Sequence, residues 1–265
     1  MSRRQCSVVV VVLSALSLAC SGDKDSASSS GGDDQPGVDE TFSEAVTKVV
    51  MEIDHDSGAE PYVGGYGPSS DIWELFDANA AAVFGPDVTV TVPHTLDGME
   101  DLGVLGSGPW DVDHILDLAD VHRDEHSAGD TVTYYAVWLD GYYVVDGEED
   151  RGVIGVSIGD TGVLAVFKPV LRNLSPIEAS AAFSEQTTLI HEFGHAIGLV
   201  ANGIPATSDH HDEAHGAHCT DNRCVMYWAN EGSVELLQFA SEVATSGETV
   251  IFKDACLADI AAVRD

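Results

Sequence analysis

His191 and His195 stand four residues apart in the string HEFGHAIG, with Glu192 beside the first and Gly198 beyond the second. On a helix, positions i and i+4 share a face, so imidazoles spaced this way reach one point and one metal ion. An acid next to the first ligand stands over a water at that ion and serves as its base. The chemistry implied is hydrolysis at a zinc ion, with His191 and His195 as ligands and Glu192 as general base. Six of the eleven histidines lie between His191 and His218, so further nitrogen donors are close in sequence.

Catalytic zinc takes three protein ligands and keeps a fourth position for water. The third ligand must follow His195, and His210, His211, His215 and His218 are the histidine candidates, with Asp209, Asp212 and Glu213 among them. A glutamate from a later helix, Glu231 or Glu235, is the other type of third ligand; the surrounding sequence offers little helical pattern for it. Gly198 can adopt a left-handed conformation and end the helix just past His195. The chain can then leave through Asn202-Gly203-Ile204-Pro205 and return, because loop-closure entropy grows only logarithmically with length. Gly216 eases a tight approach to the metal. His210, His211, His215 and Asp212 are otherwise solvated loop residues or donors to a second ion. His122 and His126 are also four apart, but Arg123 between them repels a cation, so they read as surface residues.

The string His191 to Gly198 resembles the metzincin peptidases, whose pattern is HExxHxxGxxH followed by a methionine turn. Ala201 stands where the third histidine would be, so residues 201–217 read as an insertion. After it, His218-Cys219, four residues and Cys224-Val225-Met226 resemble the archaemetzincin branch. This resemblance implies His218 as third zinc ligand, Met226 as the methionine beneath the metal, and one catalytic zinc ion that serves peptide hydrolysis. It implies a single metzincin-like α+β catalytic domain: a mixed twisted sheet, an active-site helix, the Met-turn and a C-terminal helix. It implies too that a strand between Thr131 and Phe167 receives the peptide in extended form. The branch has a later cysteine pair that helps build a second, structural zinc site. Here only Cys256 lies downstream, so a four-cysteine site is excluded and a Cys219–Cys224 disulfide is the expectation, leaving Cys256 unassigned.

The N-terminus reads as an export signal. Arg3 and Arg4 precede the apolar run Val8 to Leu18, too short to span a bilayer. Leu18-Ala19-Cys20 resembles the lipobox of bacterial lipoproteins, which makes residues 1–19 the signal peptide and Cys20 the lipidated first residue. The Ser, Gly and Asp composition of residues 20–40 reads as a flexible tether, and 41–265 as the zinc metallopeptidase domain. The expected location is the outer membrane or cell surface, otherwise the periplasm or the exterior. The net charge of −34 excludes nucleic acid as a partner. The expected partner is a peptide or protein substrate, met by a monomer. The alternative is a non-catalytic zinc-binding surface lipoprotein, against which Glu192 argues, since a storage site gains nothing from an acid there.

The elements that must position these residues follow from pattern. Strands are expected at 45–54, 87–92, 131–139, 153–158 and 163–167, where β-branched and aromatic residues concentrate. Helices are expected at 69–84, capped by Ser70, at 111–126, and at 254–263. The metal-bearing helix should run from the capping box Ser175-Pro176-Ile177-Glu178 to Leu199, with a break near Phe183. With 44% hydrophobic residues the chain can build a sizeable core.

Overall fold

A computed structural model describes residues 36–231 and 233–264; the export signal, Cys20 and most of the tether lie outside the described residues. In chain order the elements are α1 (Val38–Thr41), β1 (Lys48–His55), α2 (Glu74–Phe84), β2 (Thr89–Thr91), β3 (Glu100–Asp101), α3 (Val112–His122), β4 (Thr131–Leu139), β5 (Tyr143–Val145), β6 (Glu148–Asp150), β7 (Gly155–Ser157), β8 (Val163–Phe167), α4 (Lys168–Leu174), α5 (Glu178–Ala196), α6 (Ser233–Ser246) and α7 (Asp254–Arg264).

The fold is mixed α and β around a mostly parallel sheet in the order β2-β1-β4-β8-β7, with β3 also pairing with β1. Only β7, at one edge, runs antiparallel to its neighbour. Strands of a parallel sheet are covered on both faces and read as continuous apolar runs. That is why β4 is buried from Val132 to Leu139 and β8 throughout. Helix α5 lies against β7 and β8 and is itself flanked by α2, α4 and α6. Every residue from Ala181 to His195 is therefore buried, including a run of polar ones. Glu185 is held by Lys168 at 2.5 Å and by the Tyr62 N–H at 2.7 Å; Thr187 donates to the Phe183 carbonyl at 2.9 Å.

Several boundaries differ from the sequence expectation, each for a local reason. Helix α2 starts at Glu74 rather than Ser69, because the Asp71 carboxylate accepts the Trp73 N–H at 3.1 Å. Helix α3 stops at His122 because the next backbone N–H groups, of Asp124 and Glu125, donate to the Glu52 carboxylate at 2.9 and 2.7 Å. Ser175 accepts the Ile177 N–H at 3.1 Å, and α5 then runs unbroken past Phe183. Residues 38–40, placed in the tether on composition, open α1. Val38 sits so close to the glycines after α5 that a Cβ at Gly198 or Gly203 would lie 2.8 or 2.9 Å from its methyl. The segment after residue 232, where no helical pattern was expected, forms α6 with Leu236, Phe239, Ala240 and Val243 buried on one side. No helix among the described residues is long and apolar enough to cross a membrane.

Candidate metal centre

The last turns of α5 place His191, Glu192 and His195 in the interior, 3%, 6% and 3% exposed. Gly198 ends the helix as the sequence requires, with φ of +89°, and its N–H returns to the His195 carbonyl at 3.0 Å. The chain swings out, comes back, and delivers His218, fully buried, against both helical histidines. Ring centroids lie 5.3 Å apart for His191 and His218 and 5.0 Å for His195 and His218. One nitrogen from each ring and one carboxylate oxygen of Glu231 all fall within 4.8 Å of one another.

Hydrogen bonds on the far side of two rings fix where their protons are. His191 Nδ1 donates to the Val225 carbonyl at 2.7 Å, and His218 Nδ1 donates to the His215 carbonyl at 2.6 Å. A neutral imidazole protonated at Nδ1 carries a lone pair at Nε2. The lone pairs of His191 and His218 thus converge with His195, whose Nε2 is 3.1 Å from that of His191. A tetrahedral zinc ion with bonds of about 2.0–2.1 Å spaces its nitrogen ligands about 3.3 Å apart. The donor set fits zinc. Burial, then the neighbouring imidazoles, hold His195 well below its ordinary value, so this ring stays neutral. At His191 burial also opposes charge, but the Glu231 hydrogen bond and the Glu192 charge outweigh it and lift the ring to about 9.

Glu192 faces a cleft of about 320 Å³ bounded by Asp150, Ile154, Thr188, Asn230 and Glu235. Burial is the main cause that pushes its carboxyl up to about 7. Edge strand β7 passes directly over it. A Cβ on Gly155 would lie 2.7 Å from Thr188 Cγ2 and 3.0 Å from Glu192 Cγ, so glycine there permits the close approach of strand to helix. Met226 is fully buried and lies under Gly194, between the two helical histidines: a Cβ on Gly194 would overlap its sulfur.

Cys219 and Cys224, expected to form a disulfide, are free thiols, as is Cys256, and all three are buried. The Cys224 and Cys256 sulfurs are 3.6 Å apart, far beyond the roughly 2.05 Å of a disulfide bond. His210 Nδ1 lies 3.5 Å from Cys219 Sγ and 4.0 Å from Cys256 Sγ, and these three donors all fall within 4.8 Å of one another. Sulfurs around a zinc ion, with bonds of about 2.3 Å, stand about 3.8 Å apart. His210 Nε2 donates to Asp259 at 2.7 Å, which leaves the Nδ1 lone pair facing the thiols. Asp259, fully buried, also accepts the Thr207 N–H and hydroxyl at 2.6 and 2.7 Å. Hydrogen bonds from the Cys224 and Cys256 thiols favour the thiolate at Cys219, and the thiolate is the form that binds metal.

His211, His215 and Asp212 belong to neither cluster. His211 donates to the Gly216 carbonyl, while His215 stacks on Trp228 at 4.0 Å and pairs with Asp212 at 2.7 Å. Glu231, weighed from sequence as a substitute for a third histidine, instead joins all three, and Glu235 lines the cleft. His210 stood open from sequence as a donor to a second ion, but its pairing with the cysteines was missed, although three cysteines near a histidine-rich loop are themselves the signal of such a site.

No protein-family model and no curated protein matches this sequence. Among solved structures, a zinc-dependent peptidase from Methanocorpusculum labreanum (strain Z) is similar at 14% identity and a TM-score of 0.43, over 79% of this chain and 99% of that one.

Proposed function

We propose that this protein is an exported, lipid-anchored zinc peptidase of metzincin type that acts as a monomer on peptide or protein substrates. His191, His195 and His218 are the zinc ligands in this reading, Met226 supports them from below, and Cys20 carries the lipid. One observation carries the proposal: three imidazoles converge beside a buried carboxylate, in a cleft bordered by a sheet edge with no further strand among the described residues. An extended peptide can add to that edge at β7 by main-chain hydrogen bonds. When bound, a zinc ion supplies the Lewis acidity that acidifies water and polarises the scissile carbonyl. Glu192 takes the proton of the attacking water as its oxygen bonds to the carbonyl carbon. It returns that proton to the nitrogen as the C–N bond breaks.

The second cluster extends the reading to a second, structural ion held by His210, Cys219 and Cys256, with Cys224 Sγ 3.6 Å from Cys256 Sγ. Because Cys219 follows His218 and Cys224 precedes Val225, this ion would fix the loop that delivers the third ligand.

A second reading, zinc capture without turnover, is favoured by the position of Glu231 among the three histidines. Zinc analysis and peptide-library digestion of wild type, Glu192→Gln and His218→Ala separate the two. The peptidase reading expects cleavage by the wild type, full zinc without cleavage in Glu192→Gln, and one ion fewer in His218→Ala. Full zinc and no cleavage by the wild type would leave capture as the function; full zinc and activity in His218→Ala would remove His218 from the ligand set.

A further inference from the structure

Glu231 occupies a place that the peptidase reading reserves for water. Its Oε1 lies 2.9 Å from His218 Nε2 and 3.4 Å from His191 Nε2. No lysine or arginine among the described residues lines the cleft, so this carboxylate faces no described cation there except one the histidines hold. Nor can it be an ordinary hydrogen-bond acceptor of neutral rings. His191 and His218 each spend their one proton on a backbone carbonyl through Nδ1, and a carbonyl can only accept. For both to donate to Glu231 as well, two imidazolium rings would have to be buried side by side, next to a third imidazole. Burial of that much like charge is costly. One divalent ion at the centre satisfies every lone pair and the carboxylate together.

We infer that Glu231 is a fourth ligand of the resting ion, and that the site is closed until substrate displaces this carboxylate. The inference rests on the peptidase reading for its consequence, but not for the coordination itself. Four protein donors are the mark of a closed site, and three with water that of an open one. Glu231 sits at the end of the short 3-10 turn Trp228–Glu231, just before α6, and not on the helix that carries His191 and His195. Glu192 takes no part in this exchange; its carboxylate is turned to β7.

The test is made on the full chain with Glu231→Gln and Glu231→Asp. Zinc affinity is read by chelator competition, and coordination by the visible spectrum of the cobalt-substituted protein. If Glu231 is a ligand, both variants lose at least about tenfold in affinity, since even outer-shell partners of zinc ligands are worth about 10–100-fold. The cobalt spectrum shifts in both. Glu231→Asp keeps the charge but shortens the reach, so a purely electrostatic role would preserve its affinity. Hydrolysis per bound zinc should rise in Glu231→Gln, because a competitor for the water position is gone. Unchanged affinity and spectrum in both variants would overturn the inference. A changed affinity and spectrum with no peptide hydrolysed by any form would uphold the coordination and overturn the peptidase reading instead.

Discussion

Gly194→Ala tests whether Met226 lies beneath the metal helix. Alanine favours a helix interior over glycine by about 1 kcal/mol, so on helix propensity alone the change stabilises α5. Packing points the other way. The new methyl would overlap the Met226 sulfur and lie 3.0 Å from Phe252 Cε1 and 3.1 Å from Met226 Cε. Carbon atoms settle at about 3.5–4.0 Å, and both neighbours are at most 1% exposed, so each must retreat into filled space. Overpacking of this kind costs about 1–3 kcal/mol. The net expectation is a loss of about 1 kcal/mol, or about 2–4 °C in Tm for a domain of this size. Thermal unfolding should be read on metal-free protein, since bound zinc adds its own stabilisation. Zinc affinity should weaken too. The Met226 carbonyl accepts the Cys219 N–H at 2.7 Å, and the Val225 carbonyl orients His191, so a displaced Met226 pulls on both metal clusters. A Tm that rises by the amount helix propensity alone supplies, with zinc affinity unchanged, would mean that nothing is packed beneath Gly194 and that Met226 has no supporting role.

Asp259→Asn should weaken metal at the cysteine cluster by about 10–100-fold, because it loses the anionic partner that orients His210. The check is chelator-driven release, with the affinity of the histidine cluster as the internal control. Asp54 gives a pH signature away from either metal site. Burial is the main cause that raises its carboxyl to about 7, partly opposed by a hydrogen bond from Tyr135 at 2.8 Å. A folded-state pKa raised in this way means that the stabilisation is complete below about pH 4, where both states are protonated. It is lost as pH rises through about 7. Asp54→Asn should therefore gain stability relative to wild type between pH 4 and 7 in denaturant titrations. A difference that stays flat across that window would show that Asp54 is not perturbed. Gly155→Ala should lower turnover far more than zinc content, as its methyl forces β7 away from Thr188 and Glu192.

How much was legible in the sequence depended on whether a residue's partner was near in the chain or near only in space. The two helical histidines and Glu192 were readable because one helical turn fixes their relation. Gly198 was readable because a left-handed residue must end a helix that turns there. The strands β4 and β8 were readable because burial on both faces leaves an unbroken apolar run. Helix α5 was half-legible: its N-terminal part is polar yet buried, which no periodicity reports, and its expected break at Phe183 dissolves once Lys168 and Tyr62 supply partners for Glu185. The cysteines were misread because a pairing rule was applied along the chain. Their real partner, His210, comes from the loop treated as an insertion, and its orientation depends on Asp259 in the last helix. Glu231 was weighed as an alternative to His218, when the fold brings both to one point. The choice between rival third ligands was therefore the wrong question, because the fold brings three imidazole nitrogens and a carboxylate oxygen within 4.8 Å of one another.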